Sequence, residues 1–248
     1  MTTINPYAAP KAALADETLV LSDDFVPGGL KQPASHGWDW IAAAWEMFKR
    51  QPGLWIGIWL LLIVMSFGVA LVPFLGNFIT MLVWPVLMAG IAIGCRALDE
   101  GRELELAHLF AGFRERTGTL LAAGGLYLGA FLVMLLVVVL VMGVGIFAMA
   151  GVGALLGMLV LLALTLPLVM AIWFAAPLVV FHERGALEAM KESFIGCLKN
   201  IVPFLLYGVV LFVASIVAAI PLGLGYLVLL PVAAGSVYTA YRDIYFTS

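Results

Sequence analysis

From Thr119 to Phe181 the chain runs for 63 residues without one Asp, Glu, Lys, Arg or His. In a soluble globular domain about a quarter of residues are charged, so a stretch of this length belongs to a different solvent. About 20 apolar residues carry a helix across the hydrocarbon core of a bilayer. The segment is too long for one span and suits two, with its turn in the Gly-rich stretch between Gly143 and Gly157.

The same reasoning finds four more spans. They run over about Leu54–Val72 and Phe78–Leu98, then Ile201–Ile220 and a last one ending near Tyr245. Pro73–Asn77 and Pro221–Gly225 supply the turns. With 64% apolar and 11% charged residues among 248, the expected fold class is an all-α integral membrane protein with six transmembrane helices. Residues 1–36 contain Pro6, Pro10, Pro27 and Pro33 among acidic residues and no apolar segment, so they read as a flexible cytoplasmic tail and not a signal peptide. Residues 37–248 then form the six-helix domain.

Basic residues set the orientation. Lys49 and Arg50 precede the first span; Arg96, Arg102, Arg114 and Arg116 lie at or between the second and third; Arg184, Lys191 and Lys199 separate the fourth and fifth; Arg242 closes the sixth. With Lys11 and Lys31 in the tail, all 12 basic residues share one side, which the rule names cytoplasmic. Both termini are therefore expected in the cytoplasm.

Each pair of spans follows a segment with helical apolar spacing. Trp38, Ile41, Trp45 and Phe48 share one face, as do Leu106, Leu109, Phe110 and Phe113, and Leu187, Met190, Phe194 and Leu198. Such segments suit the membrane interface, so the chain reads as three helical hairpins, each preceded by a cytoplasmic amphipathic helix. Pro85 to Arg96 and Pro231 to Arg242 repeat one spacing, which supports an internal repeat; Pro167 and Pro177 depart from it.

Three motifs carry a resemblance: Trp45-x-x-Phe48-Lys49-x-x-Pro52, Ala176-Pro177-Leu178, and Ser193-Phe194 through Asn200-x-x-Pro203. Over about residues 37–246 the chain resembles uncharacterised bacterial six-helix inner-membrane proteins, which are similar to the membrane domain of some glycerophosphodiester phosphodiesterases. The resemblance implies an inner-membrane location and no settled activity; no phosphodiesterase catalytic domain is read in the sequence, so that chemistry is not carried over. Asn5-Pro6-Tyr7-Ala8-Ala9-Pro10 looks like an opening seen on various bacterial membrane proteins, either a docking peptide or a plain leader.

Chemistry is sparse. No ionisable residue lies in the middle of a span, which argues against a proton-coupled carrier. Cys95 and Cys197 read as buried free thiols. His182-Glu183-Arg184 with His108 and Glu105 is the best enzyme-like cluster, yet it has neither metal-ligand spacing nor a nucleophile beside a base. Gly90-x-x-x-Gly94, Gly125-x-x-x-Gly129 and Gly153-x-x-x-Gly157 allow close helix packing. No cofactor, metal, catalytic residue or nucleic-acid partner is expected.

The leading expectation is a non-enzymatic protein that binds lipid, a protein partner or a second copy through its cytoplasmic interfacial helices. Its surface would be Trp45, Phe48, Lys49, Arg50, Phe110, Phe113, Arg114, Lys191, Phe194 and Lys199. The alternative is a transporter or flippase-like carrier of an apolar or amphipathic substrate, with its cavity at helix breaks near Pro85, Pro177 and Pro231. A membrane enzyme comes third.

Overall fold

The computed structural model describes residues 25–72, 75–148 and 152–247. Every regular element among them is helical. In chain order these are α1 (His36–Arg50), α2 (Pro52–Ala70), α3 (Leu75–Asp99), a 3-10 segment (Leu106–Phe113), α4 (Thr117–Ala148), α5 (Val152–Trp173), α6 (Ala175–His182), α7 (Ala186–Lys199), α8 (Ile201–Ala219) and α9 (Tyr226–Tyr245). Five stretches are long and apolar enough to cross a membrane: Pro52–Ala70, Leu75–Asp99, Thr117–Gly143, Ala154–His182 and Ile201–Ala219.

The expected sixth span, α9, does not join that group. Its second half carries Ser236, Thr239, Arg242, Asp243 and three tyrosines, and protein rather than lipid surrounds it. Polar groups at such a position are tolerated when each finds a partner. Here Tyr207 and Ser236 share a hydrogen bond of 2.8 Å. The Thr239 hydroxyl donates to the Trp40 carbonyl at 2.7 Å. The Tyr245 hydroxyl donates to the Glu192 carbonyl at 2.9 Å.

Helix α1 packs along α9 instead of standing apart. The facing pairs Ala44–Gly235, Trp40–Thr239 and His36–Asp243 step in opposite directions along the two helices, so they are antiparallel. Trp40, Ala44, Met47 and Phe48 are buried by this contact, whereas Trp38 and Trp45 of the expected apolar face are exposed. Gln51, at φ −144° and ψ 62°, breaks the chain between α1 and α2, and Pro52 opens α2 at a position where its missing N–H costs nothing.

Helix α4 continues through Gly143 and Gly145 to Ala148 and α5 begins at Val152, both within the stretch where the turn is expected. Met142 lies against Gly157, and Thr165 reaches Met134, so α4 and α5 run antiparallel. Tyr226 and Ser215, with Tyr207 and Ser236, align α8 and α9 in the same way.

The middle amphipathic segment is a 3-10 helix of eight residues and not an α-helix. It is pressed onto α3 by reciprocal glycines. A Cβ on Gly90 would collide with the His108 and Leu109 carbonyls, and one on Gly112 with the Val86 carbonyl. Gly90-x-x-x-Gly94 therefore seats this segment rather than another spanning helix. In α4 it is Gly124, not Gly125 or Gly129, that meets a neighbouring backbone, at Leu82.

Residues 25–35, expected in the tail, are tied to the bundle. Val26 and Leu30 donate backbone N–H groups to the Tyr245 and Ile244 carbonyls at 2.8 and 2.7 Å. The Asn200 side chain holds Gln32 and Leu30 at 2.7 and 2.8 Å. The Asn5–Pro10 motif lies outside the described residues.

Charged groups from distant segments meet at one end of the bundle. Arg242 pairs with Asp99 at 3.6 Å, and Arg116 pairs with Glu183. Arg50 donates to the Leu98 carbonyl at 2.6 Å.

Candidate functional site

Four of the expected surface residues have internal work. Phe48 lies in the core at 6% exposure and stacks on Trp45, with ring centroids 5.5 Å apart. Arg50 satisfies a C-terminal carbonyl of α3. Lys199 donates to the Gly29 carbonyl at 2.8 Å. Phe194 is half-buried in α7. Trp45, Phe110, Phe113, Arg114 and Lys191 are exposed, and Lys49 is exposed beside Glu46 at 2.8 Å.

The His-rich cluster is not brought together. His182 Nε2 lies 2.5 Å from the Tyr241 hydroxyl, and its ring stacks on Phe25. His108 Nδ1 accepts from the Glu105 backbone at 2.9 Å, which closes a capping box on the 3-10 segment. Glu183 is held below the usual carboxylate range by Arg116. Burial pushes the Cys197 thiol up to about 12, which makes it a poor nucleophile, and both cysteines are buried and free.

The three prolines behave differently from one another. Proline has no N–H for the carbonyl four residues back. Pro85 and Pro231 nevertheless sit inside continuous helices, α3 and α9. Only near Pro177 does the helix part, with Phe174 between α5 and α6 at φ −107° and ψ 5°. Ser193 of α7 repairs that gap: its hydroxyl accepts from the Phe174 N–H at 2.9 Å and donates to the Met170 carbonyl at 2.7 Å.

A cavity of about 460 Å³ opens beside this break. Pro85 and Pro177 both line it, and Leu230, Ala233 and Ala234 line it on either side of Pro231. Its volume falls in the ordinary range for small-molecule sites, about 300–1,000 Å³. Apolar groups dominate the wall. Met81 and Trp173, which also line it, lie four residues before Pro85 and Pro177, so their carbonyls receive no helical N–H from those positions. The indole N–H groups of Trp59 and Trp173 are buried and find no acceptor among the described residues. A buried donor without a partner costs about 1–3 kcal/mol, so these two positions would gain from an acceptor atom brought by a ligand. Thr80 and Trp84 are lining residues exposed on the outside of the bundle, so the opening faces sideways. The charge-free pattern marked this region only through its prolines; nothing in the spacing of Trp59 and Trp173 signalled unpaired indoles.

A second chamber of about 640 Å³ lies at the charged end. Lys31, His36, Asp99, Arg242 and Asp243 are among its walls. Tyr238 is the one described residue that lines both spaces. It is 3% exposed, and its hydroxyl donates to Asp99 Oδ2 at 3.2 Å.

Fold and site together define an all-helical membrane protein with an apolar cavity within its bundle. The chain is similar to a probable inner membrane protein of Burkholderia thailandensis, at 26% identity over 201 residues, covering 74% of each chain. No family model matches the chain, and no solved structure matches it.

Proposed function

We propose that this is a six-span, non-enzymatic inner-membrane protein that takes a lipid-like amphipath into the cavity at Pro85 and Pro177. In this reading α9 is the sixth span, each hairpin follows an interfacial segment, the charged end faces the cytoplasm, and both termini lie there. The likeness to the membrane domain of some glycerophosphodiester phosphodiesterases belongs to the same reading, without their chemistry. The observation that carries it is the cavity itself: apolar, open sideways, and lined by Trp59 and Trp173, whose buried indole N–H groups find no acceptor among the described residues. An apolar body fills the wall, and one or two oxygen acceptors meet Trp59 and Trp173. Entry from the side suits a substrate already dissolved in the bilayer.

Filling the cavity tests this. Ala234→Phe and Ala233→Phe place a ring in the space from α9. Protein purified in mild detergent should carry lipid recoverable by organic extraction, and the variants should carry roughly tenfold less, which corresponds to about 1.4 kcal/mol. Equal lipid in wild type and both variants, with the fold intact by circular dichroism, would count against the cavity as the site.

A second reading places partner or lipid binding at the charged end, because Leu106, Phe110 and Phe113 are exposed there beside Arg114. Reversing Arg114 and Lys191 separates the two. Retained lipid is unaffected by that change in the first reading, and lipid or partner binding is lost in the second.

A further inference from the structure

Resting on the cavity reading, we propose that the two chambers form one bipartite site for a lipid with a zwitterionic head that carries a primary ammonium and a phosphate. The chain occupies the apolar cavity, the head occupies the charged chamber, and Tyr238 is the partition between them.

Three observations support the division. The chambers share Tyr238, so the two ends of an amphipath would meet across a single side chain. One chamber is walled chiefly by apolar groups and the other holds five ionisable residues, which matches the two ends of a lipid. The Tyr238 hydroxyl is tethered from the polar side through Asp99, which Arg242 also approaches at 3.6 Å, while its ring packs against Phe181 and Tyr241. A head that took over the Asp99 carboxylate would release that tether.

The charges choose the head. Lys31 and Arg242 oppose Asp99 and Asp243 in the wall, two cations against two carboxylates. A head with net charge would leave one wall charge without a partner. A zwitterion keeps the balance: its phosphate accepts from Lys31 and Arg242, while its ammonium donates to Asp99. A primary ammonium can make that charge-assisted hydrogen bond, and a quaternary one has no N–H to give. Asp243 is engaged by His36 at 2.9 Å and Trp40 at 2.7 Å, whereas Tyr238 and Arg242 approach Asp99 at 3.2 and 3.6 Å, so Asp99 is the more loosely held of the two acceptors.

The test uses the full chain in vesicles of equal phosphatidylethanolamine and phosphatidylglycerol with matched acyl chains, read by native mass spectrometry after release. Wild type should retain phosphatidylethanolamine roughly tenfold over phosphatidylglycerol. Asp99→Asn should abolish most of that preference while keeping total lipid. Lys31→Glu, at an exposed residue whose change should leave folding intact, should reduce it as well. Tyr238→Phe removes the tether but no charge, and should keep the preference. Equal retention of both lipids by wild type, with Ala234→Phe shedding both, would overturn the headgroup assignment and leave the cavity reading standing. Preference unchanged in both Asp99→Asn and Lys31→Glu would also overturn it. Absence of any retained lipid in wild type would overturn both readings.

Discussion

Replacing Ser193 by alanine should lower the thermal midpoint of the detergent-solubilised protein by several degrees. Ser193 is fully buried, and one hydroxyl serves two backbone groups at the parted helix. It accepts from the Phe174 N–H and donates to the Met170 carbonyl. The Phe174 N–H and the Met170 carbonyl lie four residues apart, and Ser193 bridges the two at the parted turn. Each buried group left unpaired costs about 1–3 kcal/mol. For a chain of this size about 1 kcal/mol moves the midpoint by roughly 2–4 °C. Ser215→Ala is the control, because that hydroxyl is exposed and bonds within its own turn to the Phe212 carbonyl at 2.7 Å. It should change stability by less than about 0.5 kcal/mol. Equal responses from the two variants would show that Ser193 does not hold the break.

Asp243→Ala should loosen α1 from α9. The carboxylate accepts the Trp40 indole N–H at 2.7 Å and lies 2.9 Å from His36 Nδ1, while the Asp243 carbonyl accepts from the Gln32 amide. Trp40 is 2% exposed, so its orphaned donor would bear a cost of about 1–3 kcal/mol. His36 and Asp243 are each near 30% exposed, so their pairing adds at most about 1 kcal/mol. Hydrogen exchange across His36–Phe48 should rise, with little change in α4 and α5. Asp243→Asn keeps an oxygen acceptor for Trp40 and should show a much smaller effect. Similar exchange in both variants would mean that α1 is held by apolar packing alone.

These joints explain what was legible in the sequence and what was not. Absence of charge located the membrane-length helices to within a few residues, since lipid imposes one simple rule on every exposed side chain. That rule stops applying where protein replaces lipid. The second half of α9 is polar because α1 and α8 enclose it, and hydropathy cannot see an enclosure. Apolar spacing found α1 and α7 but not the side by which α1 packs: Trp40 and Ala44 meet α9, whereas Trp38 and Trp45 of the expected interfacial face are exposed.

Prolines gave a partial signal for the site. All three named positions border the cavity or flank it, yet only Pro177 lies beside a parted helix, where a serine from α7 bridges the Phe174 N–H and the Met170 carbonyl. The motifs behind the family resemblance have a similar explanation. Ser193, Asn200 and Pro203 are structural: Ser193 caps the break, Asn200 holds residues 30–32, and the Pro203 backbone receives Gly37. They mark the fold and leave the ligand unspecified.

The central claim is that an amphipath occupies the cavity between Pro85, Pro177 and Ala234. A cryo-EM map of the protein purified from native membranes tests it most directly. The account predicts elongated density in that space, with a polar end within hydrogen-bonding distance of the Trp59 or Trp173 indole nitrogen. A map in which neighbouring side chains close the cavity, leaving no room for a ligand, would contradict it.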